Sequence, residues 1–261
     1  VDSKSNPFTI FRYRKKYHEP HRDYYLTSSQ MLALKEYFMD MVIIRKGKSW
    51  TYKDGAYERL HKRNSKEFAL LWFLLCIKYN GSAPADVALL KRSDVSRIDI
   101  EGVEYYRLQF KRIKTGSSVN CIIKRDIFTI ICLEHFLGEG EGKYIYPIIC
   151  SDTEDEGTIK KCIHRLSAKV RDKVRLICAE INEKIIESNV MNDTKESLID
   201  VEKVVLYTGR HSRANEYLQQ SNASVSGLCT MLSRSPNTIS TYIHQLQGNK
   251  EIAKAVSFLD D

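Results

Sequence analysis

The longest uninterrupted apolar run, from Phe68 to Ile77, constrains the fold of this chain more than any other sequence feature. A helix that crosses a bilayer needs about 20 predominantly apolar residues, roughly twice the length of this run. The helical pattern reaches Tyr79 and then meets Asn80-Gly81, residue types that commonly end a helix. We therefore predict a strongly apolar helix over residues 66–79 and no membrane-spanning segment. The 261 residues suit one large domain or two small ones.

Hydrophobic periodicity predicts a mainly helical fold with one small antiparallel β-sheet, which is an α+β domain. The first helix is expected after Thr27, because Thr27 and Gln30 form a capping-box pattern. Two strand-like runs, 104–114 and 118–124, flank Thr115-Gly116-Ser117 and indicate a hairpin. Further helices are predicted over residues 85–91, 126–137, 158–187, 211–220, 224–232, 237–244 and 250–259, and loops at 138–142 and 189–195.

The charge balance favours a polyanionic partner. Basic residues outnumber acidic ones by 41 to 33, which gives a net charge of +8. The first 25 residues are predicted to form a basic tail or linker ahead of a single domain over residues 26–261. In that segment Arg12, Arg14, Lys15 and Lys16 alternate with aromatic side chains, a composition that can follow a phosphate backbone. We expect these four residues to contact DNA, and a solvated tail is the alternative.

The sequence predicts no metal site and no cofactor. The seven cysteines are scattered and form neither a Cys-x-x-Cys pair nor a close cysteine–histidine cluster. His18 and His21 have metal-like spacing, but no further ligand lies near them. Signatures of phosphate loops, serine hydrolases and zinc proteases are absent. The basic N-terminal residues lack the apolar region of a signal peptide, so we expect a cytoplasmic protein.

Two motifs near the end of the chain carry the functional signal. Residues 206–214 read LYTGRHSRA and residues 233–244 read SRSPNTISTYIH. Together they resemble the C-terminal half of the tyrosine recombinases, the phage-integrase family, whose pattern is H-x-x-R-H, then L-G-H-S, then T-x-x-Y. Arg210 and His211 match the arginine–histidine pair, and Tyr242 follows Arg210 by 32 residues, where the family's nucleophile belongs.

The resemblance extends towards the N-terminus in the family's order. Lys114 resembles the lysine of the family's hairpin, residues 81–94 resemble its first-arginine box, and Tyr146-Pro147 fits the step before its long helices. The resemblance thus covers about residues 26–244. It implies the catalytic-domain fold of these recombinases, without the DNA-clamping domain that normally precedes it.

The family's chemistry assigns a role to each matched residue. The resemblance implies that Tyr242 attacks the scissile phosphate and forms a 3′-phosphotyrosine, which keeps the bond energy without metal or ATP. Arg210 would bind two phosphate oxygens through its planar fork, and Lys114 would protonate the departing 5′ oxygen. His211 would act beside the same phosphate as a donor or proton carrier. Asp86, in the family's acidic position, would hold Arg210 in place.

One departure from the family concerns the first arginine. Aligning residues 81–86 on the family's G-x-R-x-x-E/D pattern puts Ala83 at the arginine position. Arg112 lies two residues before Lys114, so in a strand both side chains point to the same face. We hypothesise that Arg112 supplies the missing guanidinium, and a solvent-facing strand arginine is the alternative.

Two further departures concern the histidines of the family's pattern. Tyr207 replaces the histidine of H-x-x-R; its phenol can donate a hydrogen bond to phosphate but cannot carry protons near neutral pH. The L-G-H-S step reads Leu-Ser-Arg-Ser from residue 232, one residue closer to Tyr242 than usual. Arg234 is the candidate phosphate ligand there, whereas strict counting from Tyr242 selects Ser233.

The sequence thus predicts the catalytic domain of a DNA recombinase or integrase from a mobile element, associated with the bacterial nucleoid. Its partners would be duplex DNA and further copies of itself, with a tetramer on DNA and possible monomers when free. Two other functions stay open: a type IB topoisomerase-like enzyme with the same chemistry, and a catalytically inactive DNA-binding module on the same fold.

Overall fold

The computed structural model describes residues 24–138, 142–149 and 155–234. These residues form a mixed α+β fold with two small antiparallel sheets. The helices are α1 (Ser28–Val42), α2 (Ala56–His61), α3 (Lys66–Lys78), α4 (Pro84–Ala88), α5 (Ile127–Thr129), α6 (His135–Gly138), α7 (Glu156–Asn192), α8 (Thr208–Leu218) and α9 (Val225–Leu232). The strands are β1 (Ile43–Lys46), β2 (Ser49–Tyr52), β3 (Val95–Ile100), β4 (Val103–Lys111) and β5 (Ser118–Lys124).

Helix α3 is the centre of the core. Its residues from Glu67 to Cys76 are all buried, and α1, α2, α4, α7 and α8 pack around it. The Ser65 side chain caps its first turn by accepting a hydrogen bond from the Phe68 amide at 2.9 Å. The helix predicted over residues 66–79 is therefore confirmed. Its apolar run is buried inside a packed protein, and none of the described helices is long and apolar enough to cross a membrane.

Strands β3, β4 and β5 form an antiparallel meander in that order. Glu101 and Gly102 join β3 to β4 with φ values of 52° and 77°, the left-handed pair that a tight two-residue hairpin requires. On β5, Val119, Cys121 and Ile123 alternate with exposed residues and pack their side chains on the core. One face of this sheet is therefore buried, which positions the β4–β5 loop at the edge of the fold.

Helix α7 is 37 residues long, about 55 Å at 1.5 Å per residue. The Asp155 side chain caps its start, and the left-handed conformation of Asp193 ends it. Its buried residues recur at helical spacing along one face and pack on α1, α3 and α4. The helix continues into the stretch predicted as a loop from Asn189, because no helix-breaking residue precedes Asp193.

The expectation of an α+β fold is confirmed, and the expectation of a single sheet is wrong. The second sheet is the hairpin of β1 and β2, whose four-residue strands leave too short an alternation to detect. Strand β3 was also not predicted, and β4 ends at Lys111 rather than at residue 114. The helices predicted at 237–244 and 250–259 lie outside the described residues.

Two histidines meet beside the core, one from α2 and one from α6. The Nε2 atoms of His61 and His135 are 3.1 Å apart, and the His135 ring packs against Tyr57 and Phe136. Burial, followed by the charge of His61, lowers the pKa of His135 to about 4, and burial also lowers the pKa of His61. Both rings are therefore neutral in the folded protein near pH 7.

This pair predicts a loss of stability in acid. Below the ordinary histidine pKa of about 6.5, His135 becomes protonated in the unfolded chain but stays neutral in the folded protein. The free energy of unfolding therefore falls as the pH is lowered from about 6.5 to about 4. We expect the thermal midpoint to fall over this window, and to fall less steeply in His135→Phe, whose ring suits the same aromatic surroundings. Thermal unfolding between pH 7 and pH 4 measures both curves, and parallel curves would contradict this account.

Candidate functional site: a cluster of buried arginines

Arg210 occupies the first turns of α8, close to α3. Gly209 makes the close packing possible, because a Cβ there would lie 3.0 Å from Ile77 Cγ1. The Arg210 side chain is 1% exposed; its Nη1 donates to the Gly81 carbonyl at 2.6 Å and its Nη2 to the Leu232 carbonyl at 3.0 Å. One guanidinium thereby ties the α3–α4 loop to the end of α9.

Gly81 is required by this contact in two ways. Its φ of +64° is a left-handed conformation that other residues adopt at a cost. A Cβ at this position would also lie 3.2 Å from the Arg210 Cα and 3.3 Å from Leu232 Cδ2. The glycine predicted to begin the first-arginine box therefore lets the chain turn directly over Arg210.

Asp86 and Arg112 form a buried ion pair. Asp86 lies in the short helix α4, and its Oδ2 accepts a hydrogen bond from Arg112 Nη1 at 3.0 Å, with both side chains 4% exposed. Its Oδ1 accepts from the Ile113 amide at 3.2 Å. The expected contact between Asp86 and Arg210 is wrong: the carboxylate binds Arg112, because the β4–β5 loop folds over α4.

The loop from Arg112 to Ser117 holds two of the predicted residues in different environments. The Arg112 amide donates to the Ser117 carbonyl at 2.9 Å, and Gly116 closes the turn with a φ of +66°. Since β4 ends at Lys111, the argument that Arg112 and Lys114 share a strand face is wrong: Arg112 is buried and Lys114 is exposed. The alternative of a solvent-facing Arg112 is excluded as well.

The same loop reaches the end of α9. The Ser117 hydroxyl donates to the Ser233 carbonyl at 3.1 Å, so the Lys114 loop lies against the residues that follow Leu232. Ser233 has a φ of +47° and ends α9, and the next residue, Arg234, contacts Tyr207. The structure thus brings the hairpin loop and the altered L-G-H-S step together.

Beside these contacts, towards solvent, lie Tyr207, His211 and Arg234. Arg234 Nη2 is 3.4 Å from the Tyr207 hydroxyl, and the rings of Tyr207 and His211 meet edge to face at 5.3 Å between centroids. Tyr207 is exposed and His211 is half-buried. The Tyr207 phenol therefore faces both Arg234 and solvent.

The arginine cluster, which we define as Arg112, Arg210 and Arg234, carries excess positive charge. Burial lowers the pKa of Arg112 to about 10, with the charges of Arg210 and Arg234 acting in the same direction and Asp86 against them. Arg112 Nε and Nη2 and Arg234 Nε are buried, and no acceptor within the described part of the chain contacts them. Buried donors of this kind are normally hydrogen-bonded, and an anion would supply the acceptor that the described residues do not.

Other predicted residues lie beside the cluster or outside the described chain. Ala83 caps the start of α4 and contributes no cation there. Tyr242 and the N-terminal cations Arg12, Arg14, Lys15 and Lys16 are outside the described residues. Within the described ranges no three His, Cys, Asp or Glu side chains come together as metal ligands.

The chain was compared with models of known protein families, with curated proteins and with solved structures, and none of the three comparisons found a match.

Sequence reasoning found the residues of the cluster but not how they are connected. The carbonyls of Gly81 and Leu232, the Ser117 contact and the Asp86–Arg112 pair all join segments far apart in the chain, which no local pattern reveals. The G-x-R-x-x-E/D spacing correctly selects Asp86 as a residue of the site. The spacing does not indicate which arginine Asp86 binds.

The unpartnered donors predict that phosphate binds at the cluster. At about ten times its dissociation constant, phosphate would stabilise the fold by roughly 1.4 kcal/mol, or about 3–5 °C in thermal midpoint. We expect Arg234→Gln to lose most of this shift, because its buried Nε is one of the unpartnered donors. Thermal unfolding in phosphate and in chloride at equal ionic strength measures the shift.

Arg97→Gln is the control, since Arg97 lies on β3 and pairs with Glu134 at the surface. It should keep the full phosphate shift, which separates specific binding from the general stabilising effect of phosphate. Equal shifts in wild type, Arg234→Gln and Arg97→Gln would contradict a phosphate site at the cluster.

Proposed function

We propose that this chain is the catalytic domain of a tyrosine recombinase, which cleaves and rejoins duplex DNA through a 3′-phosphotyrosine on Tyr242. The observation that carries the proposal is that Arg112 and Arg234, which lie in the electrostatic field of Arg210, hold buried N–H groups that have no acceptor among the described residues. A phosphodiester is the anion that such a set of planar donors suits. Strand exchange would need a tetramer of this chain on DNA, at the bacterial nucleoid, and no cofactor.

In the proposed reaction the Tyr242 phenol gives its proton to His211, its oxygen attacks phosphorus, and the bond to the 5′ oxygen breaks. Lys114, exposed on the loop next to Ser233, donates the proton that the leaving 5′ oxygen takes up. Religation reverses these steps, with a 5′-hydroxyl as the nucleophile. Tyr242 follows Arg234 closely in the sequence, so the contacts at Ser233 support an approach of the nucleophile to the cluster.

Arg112 is the proposed replacement for the cation missing at Ala83. Three features support it: burial beside α4, the electrostatic influence of Arg210, and two guanidinium nitrogens without an acceptor among the described residues. Asp86 fixes one side of the guanidinium and leaves Nε and Nη2 for a ligand. The Arg112 pKa of about 10 keeps the guanidinium protonated at neutral pH.

The decisive experiment is a nicked suicide-substrate assay with the full chain and a library of candidate sites. We expect a protein–DNA adduct on a denaturing gel in the wild type and none in Tyr242→Phe, because the phenylalanine lacks the attacking oxygen. Supercoil relaxation without strand exchange would instead identify a topoisomerase-like enzyme. DNA binding without an adduct would reject the enzyme.

The role of Arg112 needs a variant that leaves no buried unpaired charge. The double variant Asp86→Asn with Arg112→Met removes both ions of the pair, whereas Asp86→Asn alone keeps the cation as its matched control. Loss of one phosphate-binding cation should slow adduct formation about 100- to 1000-fold, as removal of an oxyanion donor does. Adduct formation at the control's rate would reject Arg112 as the replacement.

A catalytically inactive DNA-binding module is the second candidate, and one observation favours it. Arg210 is 1% exposed and donates from both terminal nitrogens to backbone carbonyls, as a structural residue does. Phosphate contact would then rest on Arg112 and Arg234, without a cation at Ala83. The suicide-substrate assay separates this candidate from the enzyme.

The N-terminal half of α7 adds a surface suited to a polyanion. Lys161, Arg165 and Lys169 repeat every four residues, about 6 Å apart, and all three are exposed without an ion pair among the described residues. Together with Lys62 and Leu166 they line a groove of about 780 Å³. Cations at this spacing can follow a phosphate backbone.

We expect this row to contribute to the salt dependence of DNA binding. For a random-sequence duplex, the slope of log K against log salt should become shallower by about 0.9 for each phosphate that the protein no longer neutralises. The triple variant Lys161→Gln, Arg165→Gln, Lys169→Gln tests this by titration at several salt concentrations. The matched control neutralises three exposed lysines around β1 and β2, at positions 46, 48 and 53. An equal change of slope in both variants would contradict a specific role for α7.

A further inference from the structure

The C-terminal end of α7 exposes an acidic and apolar face opposite its buried one. Glu183, Ile186, Glu187, Val190 and Met191 fall within one continuous arc of the helix at 100° per residue. Ile186 is 49% exposed, Val190 80% and Met191 81%, which is unusual for neighbouring apolar side chains. Glu183 and Glu187 have no ion pair within the described chain. We call these five residues the end face.

The charge around the end face is one-sided. Between residues 176 and 200 there are six acidic residues and two basic ones. Of the basic residues, Lys184 points elsewhere, since its Nζ lies 4.9 Å from the centroid of the Tyr37 ring. The partner that fits this face therefore carries cations interleaved with apolar or aromatic side chains.

The loop after α7 leads from the end face to the first described residues. Asn182 and Asn189 each exchange two hydrogen bonds with the backbone of residues 196–199, so this strip runs back along the helix beside Ile186. The next residue, Asp200, donates its amide hydrogen to the Tyr24 hydroxyl at 2.8 Å. The described chain thus begins next to the end face.

The residues that precede Tyr24 have the complementary composition. From Ser3 to His18 there is no acidic residue, whereas Arg12, Arg14, Lys15 and Lys16 stand among Phe8, Ile10, Phe11, Tyr13 and Tyr17. The distance to cover is short, because Asn182 and Val190 are about 12 Å apart along α7 and an extended chain spans about 3.3 Å per residue. A stretch of roughly ten residues is therefore long enough to reach from Tyr24 across the whole face.

We propose that residues 8–17 of this chain dock in cis on the end face of α7. Their basic side chains pair with Glu183 and Glu187, and their aromatic side chains cover Ile186, Val190 and Met191. The same cations are the proposed DNA contacts of the tail. The docked state therefore withholds them from DNA until DNA competes for them.

Trypsin cleavage tests the docking, because it cuts after the arginines and lysines of this segment. The full chain and the variant Glu183→Gln, Glu187→Gln, Val190→Ser are digested, and intact mass follows the loss of residues 1–22. Removing two exposed ion pairs and an apolar contact should speed cleavage about fivefold. Salt should bring the wild type towards the variant's rate. The matched control is Glu36→Gln with Asp40→Asn, two acids four residues apart on α1, which should cleave as the wild type does.

Each outcome decides the proposal. Faster cleavage in the end-face variant alone, at an unchanged thermal midpoint, supports it. Equal rates in all three proteins would overturn it. Protection that disappears on dilution would also overturn docking in cis and assign the face to the tail of a second copy. Because the trypsin assay contains no DNA, a negative result there does not bear on the recombinase proposal. In the same way, a negative suicide-substrate assay does not bear on the docking of the tail.

Discussion

The buried guanidinium of Arg210 is the contact on which the geometry of the candidate site depends. Burying a cation costs free energy unless its donors are satisfied, and here two backbone carbonyls accept from it. Those carbonyls belong to the α3–α4 loop and to the end of α9, so one side chain fixes both relative to α8. In the sequence, Asp86 follows Gly81 by five residues, and Tyr242 lies beyond Leu232. A displaced Arg210 would therefore move the acid that holds Arg112 as well as the end of α9, after which the proposed nucleophile follows in the sequence.

The charge count of the cluster explains how an alanine at position 83 is compatible with a phosphate site. The cluster has three guanidinium groups and one carboxylate, Asp86, which pairs with Arg112, so net positive charge remains around a buried ion pair. In the proposed site, Arg112 from the β4–β5 loop would take the place of the cation absent at Ala83, and Asp86 holds it through a 3.0 Å hydrogen bond.

The sequence predicted several elements from patterns within a single segment. The apolar run of α3, the capping box of Thr27 and Gln30 before α1, and the strand-like run of β5 each led to the right element. The hairpin of β1 and β2 was missed because strands of four residues are too short for alternation to stand out. The partner of Asp86 was missed for another reason: Arg112 is 26 residues away, and a loop rather than a strand carries it to α4. Residue identities could be predicted at the site, but contacts between distant segments depend on the whole fold.

Helix α7 joins the two proposed interactions in one rigid element. Its N-terminal half presents Lys161, Arg165 and Lys169, and its C-terminal half presents Glu183 and Glu187, with about eight turns between residues 161 and 190. A polyanion is attracted to the first half and repelled by the second, so electrostatics orients it along the helix. In the proposed docking the basic tail has the opposite preference and would bind the acidic end. DNA that reaches the basic half then offers the tail a stronger field than two exposed glutamates do, because its charge density is far higher. Release of the tail would therefore follow DNA binding rather than precede it.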